Sequence, residues 1–141
     1  MRKWLVWLTS ALFVMPLMIG LACVTVGSHS ERVKSLGDAD SGEEISIVVG
    51  EEFEVKLEAN YTTGYHWDVA EMDESVLELV AKNYKLDTRY DPPPPGTGGT
   101  LTLRFKALSA GQTSLKLVYH QSWEDSAGPA RNFEIQVNVQ E

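Results

Sequence analysis

The fold is decided by Phe53-Glu54-Val55-Lys56-Leu57-Glu58-Ala59, a run in which apolar and polar residues alternate without exception. Such alternation predicts a β-strand with one buried face and one solvated face. After the connection Asn60-Tyr61-Thr62-Thr63-Gly64, a second alternating run follows, Tyr65-His66-Trp67-Asp68-Val69. Its alternation places Trp67 on the apolar face and His66 on the opposite one. We therefore expect two successive strands, with Trp67 in the core.

The connection between these strands is stiffer than a simple reversal of direction requires. Two residues such as Asn-Gly can close a β-hairpin, whereas this connection places the β-branched Thr62 and Thr63 beside Gly64. β-Branched side chains have few rotamers, and glycine tolerates positive φ. A stiff tip of defined shape indicates a recognition loop. The alternative is a long loop whose threonine hydroxyls cap its own backbone.

The same alternation recurs along the rest of the chain. The further predicted strands are Ile45–Val49, Val76–Leu86, Thr100–Ala107, Thr113–His120 and Phe133–Val139. Val76–Leu86 alternates imperfectly, and no stretch of residues 43–141 has a helical period. The sequence therefore predicts an all-β domain over residues 43–141, an immunoglobulin-like antiparallel β-sandwich of about seven strands.

The connections between the predicted strands differ in length in a regular way. Every second connection is long, and we name these loop 1 (Asn60–Tyr65), loop 2 (Asp87–Gly99) and loop 3 (Gln121–Ala130). If successive strands run up and down a sandwich, every second connection lies at the same end. We therefore expect all three long loops at one pole, where sandwich folds build binding sites.

Loops 2 and 3 carry features suited to binding. Loop 2 contains four prolines followed by Gly96-Thr97-Gly98-Gly99, whose backbone amides could approach a partner closely. The alternative is a disordered hairpin tip. Loop 3 contains Trp123 among turn residues, which indicates an exposed interface anchor. The alternative is a tryptophan folded back onto a loop neighbour.

No catalytic or metal-binding set is visible in the sequence. His66 and His120 could approach each other, but no third ligand has a convincing metal spacing, so solvated surface histidines are expected. No serine or acid is paired with a base in a way that singles out a nucleophile. We therefore expect no enzymatic activity, no cofactor and no metal.

The charge of the chain disfavours nucleic acid as a partner. The formal net charge is −8, and residues 1–22 hold two basic residues and no acid, so the remainder carries −10. Phosphate backbones bind through clustered Lys and Arg, and no such cluster is present in the sequence. We expect no nucleic-acid binding.

Residues 1–22 have the composition of an export signal, with two basic residues before an apolar run from Trp4 to Ala22. The single cysteine, Cys23, follows a small residue, which resembles the processing site of bacterial lipoproteins, although Gly20 stands where leucine is usual. The resemblance implies lipid attachment at Cys23. The alternatives are an uncleaved membrane anchor and a cleaved soluble protein. Either tether would hold the exported protein at the cell-envelope membrane.

Residues 23–42 are rich in Ser, Gly, Asp and Glu, which predicts a flexible linker. One cysteine allows no intrachain disulfide, so the domain must be stabilised by packing. We expect it to act as a monomer.

The three loops together resemble the chagasin family, protein inhibitors of papain-like cysteine peptidases. That family has an Asn-Pro-Thr-Thr-Gly-aromatic loop, a Gly-rich loop and an Arg-Pro-Trp loop, in this order and at comparable spacing. This chain has Asn60-Tyr61-Thr62-Thr63-Gly64-Tyr65, then Gly96-Thr97-Gly98-Gly99, then Gln121-Ser122-Trp123. The resemblance extends to Trp67, Asn83-Tyr84, Ala110-Gly111 and Tyr119. It covers the domain but not residues 1–42.

The resemblance implies reversible inhibition by a three-loop wedge that closes the peptidase's active-site cleft. Loop 1 would enter at the catalytic cysteine, loop 2 would lie along one wall, and Trp123 would stack on the other. The residues implied to contact the peptidase are Asn60, Tyr61, Thr62, Thr63, Gly64, Tyr65, Gly96, Thr97, Gly98, Gly99, Gln121, Ser122 and Trp123.

This chain departs from the family pattern at Tyr61, which replaces proline, and at Gln121 and Ser122, which replace arginine and proline. These changes bear on affinity and target range more than on fold. The main alternative is an envelope-tethered immunoglobulin-like adhesion or scaffold module that uses the same pole for a non-peptidase ligand.

Overall fold

The structure, a computed structural model, describes residues 33–123 and 128–141, and these form a β-sandwich. The strands are Lys34–Leu36 (β1), Glu44–Val48 (β2), Glu52–Ala59 (β3), Tyr65–Glu71 (β4), Leu77–Leu86 (β5), Gly99–Ala107 (β6), Gly111–Gln121 (β7) and Arg131–Gln140 (β8). One sheet has the order β1-β3-β6-β5 and the other β2-β8-β7-β4. The predicted all-β sandwich is confirmed, with eight strands rather than seven.

The alternating runs place their apolar residues between the two sheets. Trp67, Phe53, Phe105 and Phe133 are among the largest side chains that are fully buried there. Phe53 and Phe105 face each other across the β3–β6 pair with ring centroids 5.4 Å apart. Full burial of such side chains contributes roughly 1.5–3 kcal/mol each. The core, rather than any disulfide, therefore fixes the frame that carries the loops.

The imperfect alternation of the predicted fourth strand has a structural cause. The register of β5 against β6 shifts between Leu79, which pairs with Phe105, and Ala81, which pairs with Arg104. Val80 is the extra residue and is 41% exposed. A β-bulge of this kind moves the following residues to the other face, so a strict two-residue period cannot continue through it.

The predicted linker over residues 23–42 is wrong in its last part. Lys34–Leu36 pairs with β3 in parallel, and Leu36 is in the core at 4% exposure. A 3₁₀ turn at Asp38–Asp40 then leads to β2, which pairs in parallel with β8 on the other sheet. Composition missed β1 because a three-residue edge strand is held by main-chain pairing and needs only one apolar side chain.

The first described residues lie at the pole opposite loop 1. Lys34 pairs with Phe53 at the start of β3, whereas loop 1 follows Ala59 at the end of that strand. Cys23 and the predicted export signal lie outside the described residues. Over residues 33–123 and 128–141, no helix is long and apolar enough to cross a membrane.

Candidate functional site

Loop 1 is a short 3₁₀ turn held by its own side chains. The Asn60 Oδ1 atom accepts hydrogen bonds from the Thr62 amide at 3.2 Å and from the Thr62 hydroxyl at 2.6 Å. The Thr63 hydroxyl donates to the Asn60 carbonyl at 2.6 Å. Gly64 ends the turn at φ +79°, a conformation that favours glycine. The Thr63 hydroxyl thus caps the loop's own backbone, the Thr62 hydroxyl bonds the Asn60 side chain, and together these bonds give the loop its fixed shape.

Loop 2 is hydrogen-bonded to loop 1. The Asn60 side-chain amide donates to the Gly96 carbonyl at 3.1 Å. Within loop 2, the Thr97 amide and hydroxyl both donate to the Pro94 carbonyl, at 3.2 Å and 2.6 Å. These bonds give the tip of loop 2 a defined shape, unlike the disordered hairpin tip considered from the sequence.

Loop 3 is hydrogen-bonded to the other side of loop 1. The Gln121 side-chain amide donates to the Thr63 carbonyl at 3.1 Å. The Trp123 ring lies directly over Gly64, because a Cβ added there would come within 3.0 Å of three ring carbons. Even so, Trp123 is 68% exposed. Its predicted exposure is confirmed, and the alternative of contact with a loop neighbour holds as well, through Gly64.

Aromatic side chains beneath loop 1 hold it on the sandwich. The Tyr119 hydroxyl accepts a hydrogen bond from the Asn60 amide at 2.8 Å. The Tyr119 ring lies 5.3 Å from that of Tyr65 and 5.1 Å from that of Trp67, between centroids. The Trp67 indole donates to the Glu58 carbonyl at 2.9 Å. Tyr119 therefore connects loop 1 to the buried Trp67 of the core.

Tyr61 does not project from the tip of loop 1. Its ring packs against that of Tyr84 at 4.3 Å between centroids, and the Tyr84 hydroxyl donates to the Ala59 carbonyl at 3.3 Å. Burial, followed by the neighbouring Tyr84 and Tyr119, raises the pKa of Tyr61. Tyr61 therefore anchors the loop through its side chain at the position where the family pattern has proline.

A cleft of about 340 Å³ separates loops 1 and 2 at the base. Its lining includes Asn60, Asp87, Gly98 and Arg131. The Arg131 guanidinium donates to Asp38 at 2.6 Å and lies 5.4 Å from the centre of the Trp67 ring. Arg131 is a supporting residue that the sequence analysis did not identify, since only the folded chain brings it beside Trp67.

One residue predicted to contact a partner has a packing role. Gly99 is buried in β6, and a Cβ added there would clash with the Lys85 carbonyl oxygen and lie 2.7 Å from Cζ of Tyr84. The expectation of an exposed amide at Gly99 is therefore corrected: glycine is needed because the Lys85 carbonyl and the Tyr84 ring both lie against its backbone. Gly96 is exposed and Gly98 half-buried, so these two remain accessible in loop 2.

The remaining predicted residues of loop 3 lie where β7 ends. Gln121 is the last residue of β7, paired with Tyr65, and Ser122 follows it. The Ser122 hydroxyl lies 3.3 Å from Nε2 of His66. Residues 124–127 of loop 3 are outside the described part of the chain.

His66 and His120 lie side by side below loops 1 and 3, together with an acid that the sequence analysis missed. The two histidines are directly paired across β4 and β7, with ring centroids 4.8 Å apart. The Asp68 Oδ2 atom is 2.9 Å from the Nε2 atom of each ring. The side chains of His66 and His120 are 29% and 33% exposed, so they are half-buried rather than solvated.

The local charges favour the ionised form of Asp68. Burial alone would raise its pKa, but the hydrogen bond from His120 and the nearby charges of His66, Lys82 and His120 outweigh burial and lower the pKa. The sequence did hold a signal, because His66 and Asp68 are two residues apart on a strand and must share a face. Only the register of β7 adds His120 to the same place.

Comparison with known proteins gives a consistent result. Residues 46–137 match the family model described as "Chagasin family peptidase inhibitor I42". Amoebiasin-1 of Entamoeba histolytica is 32% identical over 108 residues, which are 75% of this chain and 99% of that protein.

Two solved structures have the same fold. The cysteine protease inhibitor EhICP2 of Entamoeba histolytica superposes with a TM-score of 0.69 at 21% identity, covering 77% of this chain and 96% of that one. PbICP-C, solved in complex with falcipain-2, superposes with a TM-score of 0.52 at 17% identity, covering 82% of this chain and 96% of that one.

Proposed function

This chain belongs to the chagasin family of peptidase inhibitors, and we propose that it inhibits papain-like cysteine peptidases by filling their active-site cleft with loops 1, 2 and 3. The inhibitor supplies no chemistry; it binds reversibly and excludes substrate.

A single observation carries this proposal. Loop 1 is hydrogen-bonded to loop 2 through Asn60 and Gly96, and to loop 3 through Gln121 and Thr63. The described parts of the three loops therefore form one preorganised surface at one pole of the sandwich. A surface that is already ordered loses little conformational entropy on binding, which favours affinity.

Each loop has a proposed role that follows from its exposure. The 3₁₀ turn of loop 1, which is exposed at Tyr61 through Thr63, is the central element that enters the cleft. Gly96 and Gly98 of loop 2 offer main-chain groups without side chains in the way. Trp123 of loop 3 presents the free face of its ring to an aromatic or apolar wall of the peptidase.

At two positions where this chain departs from the family pattern, the residue present makes another contact that restrains the loop. Tyr61 lacks the fixed φ of proline, but its packing on Tyr84 restrains the same position. Gln121 replaces an arginine and holds loop 3 to the Thr63 carbonyl instead. We therefore propose that these residues preserve the shape of the surface, while the lost positive charge narrows the range of targets.

The direct test is titration of the chain from residue 24 onward into several papain-like peptidases of known active-site concentration. We expect tight, reversible, one-to-one inhibition of at least one of them, by a monomer. Serine and metallopeptidases serve as controls and should be unaffected. If no peptidase of the panel loses activity, the pole serves another ligand, as an adhesion or scaffold module would.

We also propose that the protein is exported and tethered to the cell-envelope membrane through a lipid on Cys23. The composition of residues 1–22 and the small residue before Cys23 support this proposal. Since β1 begins at the pole opposite loop 1, a tether upstream of it would leave the loops free to meet a peptidase.

Mass spectrometry of the native protein tests the tether. A lipidated Cys23 at the amino terminus is expected, and Cys23→Ser should abolish the lipid or leave an unprocessed precursor. An intact Met1 with unmodified Cys23 would instead favour an uncleaved anchor, and a free domain without lipid would favour the cleaved soluble form.

A further inference from the structure

The cluster of His66, Asp68 and His120 lies below loops 1 and 3, where Nε2 of His66 is 3.3 Å from the Ser122 hydroxyl, and the proposed inhibition gives it no role. Its ligand atoms, one on each residue, all lie within 4.8 Å of one another. Both histidine Nε2 atoms are 2.9 Å from the same oxygen of Asp68. The cluster is built on paired strands β4 and β7 rather than on a loop, so the sheet holds the relative positions of its members.

We propose that His66, Asp68 and His120 form a binding site for a divalent transition-metal ion, with Zn²⁺ as the best match. Zinc binds imidazole nitrogen and carboxylate oxygen at about 2.0–2.2 Å, in tetrahedral geometry. Neighbouring ligand atoms of such a tetrahedron are about 3.3–3.5 Å apart. The 2.9 Å separations between Nε2 and Oδ2 are about half an ångström shorter than those in a formed site. Since the ligand atoms all lie within 4.8 Å of one another, small side-chain rotations would bring the three to tetrahedral spacing.

The donor set selects among metals. Two imidazoles and one carboxylate suit Zn²⁺, Cu²⁺ or Ni²⁺, whereas Mg²⁺ and Ca²⁺ prefer oxygen ligands alone. The three side chains are between 29% and 47% exposed, so an ion can reach them and keep a solvent molecule as a fourth ligand. The Lys82 ammonium is 4.0 Å from Asp68 Oδ1 and opposes a cation, but it also donates to the Trp67 carbonyl at 3.0 Å.

Binding would change the state of the two rings in a defined way. Coordination through Nε2 requires that nitrogen to be free of a proton, so each neutral ring would carry its hydrogen on Nδ1. The ion would then replace the present contacts between each Nε2 atom and Asp68. It would also link the start of β4 to the end of β7, next to Tyr65, where loop 1 ends, and Gln121, where loop 3 begins.

The experiment is calorimetric titration of Zn²⁺ into the purified full chain, prepared without a histidine tag. The expected result is one equivalent bound, with visible absorption bands of tetrahedral Co²⁺ when cobalt replaces zinc. His66→Gln, Asp68→Asn and His120→Gln should each weaken binding by at least about tenfold. His29→Gln is the matched control, because His29 is the chain's remaining histidine, and it should bind as the original chain does.

Several results would overturn the proposal. They are the absence of zinc binding, zinc binding that survives His66→Gln and His120→Gln, and binding of Mg²⁺ as tight as that of Zn²⁺. Circular dichroism of each variant establishes that it is folded. NMR of the imidazole nitrogens in the unsubstituted chain gives a second readout that needs no variant: zinc should shift Nε2 of both rings, and unchanged signals would exclude the site.

Discussion

The substitution Gly64→Ala tests whether the position of Trp123 matters for inhibition. The added methyl group has two effects. It places an L-residue at φ +79°, and it enters the space occupied by the Trp123 ring. The ring must therefore leave its position over loop 1, although Gly64 itself need not contact the peptidase through a side chain.

The two effects differ in size and in kind. An L-residue in the left-handed region costs about 1–2 kcal/mol of stability, which a domain with about 5–15 kcal/mol can tolerate. Moving Trp123 adds little to that cost, because the ring is already 68% exposed. If Trp123 is an interface anchor, its displacement should weaken inhibition by about 2 kcal/mol or more, which is roughly thirtyfold in the inhibition constant.

Gly50→Ala is the matched control. Gly50 has φ +90°, no atom within 4 Å of an added Cβ, and a place in the turn at the pole opposite the loops. It should lose similar stability in urea denaturation and inhibit as the original chain does. Comparison of the two variants separates backbone strain from displacement of the ring.

A double-substitution cycle with Trp123→Ala completes the test. Without the indole ring, Gly64→Ala should change the inhibition constant by no more than about twofold beyond the effect of Trp123→Ala. The reasoning is refuted if Gly64→Ala alone leaves inhibition within about twofold of the original chain. It is also refuted if Gly64→Ala has its full effect in the absence of Trp123.

Three further predictions concern the frame beneath the loops. Trp67→Ala should lower the free energy of unfolding by about 3–5 kcal/mol, because Trp67 is fully buried. Trp123→Ala should lower it by under about 1 kcal/mol. Equal losses in denaturation experiments would contradict the assignment of Trp67 to the core and Trp123 to the surface. Leu36→Ala should cost about 2–5 kcal/mol, since Leu36 is in the core, and no loss would mean that β1 is dispensable. The hydrogen bond from Arg104 is the main cause that lowers the pKa of Glu54 from its ordinary value of 4.5. The ionised carboxylate therefore stabilises the fold above pH 4.5, and this stabilisation is lost as the pH falls through the lowered pKa. The difference in unfolding free energy between the original chain and Glu54→Gln should therefore shrink below pH 4.5, and a difference that grows in acid would show the opposite sign.

Much of the fold could be predicted from the sequence because most strands alternate strictly. The alternating run at Phe53–Ala59 became β3, and Trp67 is buried where its face predicted. Alternation failed where the structure does not follow a period of two. The bulge at Val80 interrupts β5, and Lys34–Leu36 is too short to have a period.

The candidate site was predictable in outline and not in detail. The parity of long connections predicted that three loops share one pole, and the hydrogen bonds of Asn60 and Gln121 join them there. Burial of Gly99 beneath Tyr84 depends on the pairing of β5 with β6, which local patterns do not contain. The meeting of His120 with His66 and Asp68 likewise depends on the register of β7.

The central claim is that the three joined loops close the cleft of a papain-like cysteine peptidase. Its most direct test is to titrate the chain into active-site-titrated peptidase with and without a reversible ligand occupying the cleft. The account predicts a linear loss of activity that ends at one inhibitor per active site, and slower association when the cleft is occupied. Full activity at a large molar excess of the chain, or inhibition unaffected by the cleft ligand, would contradict it.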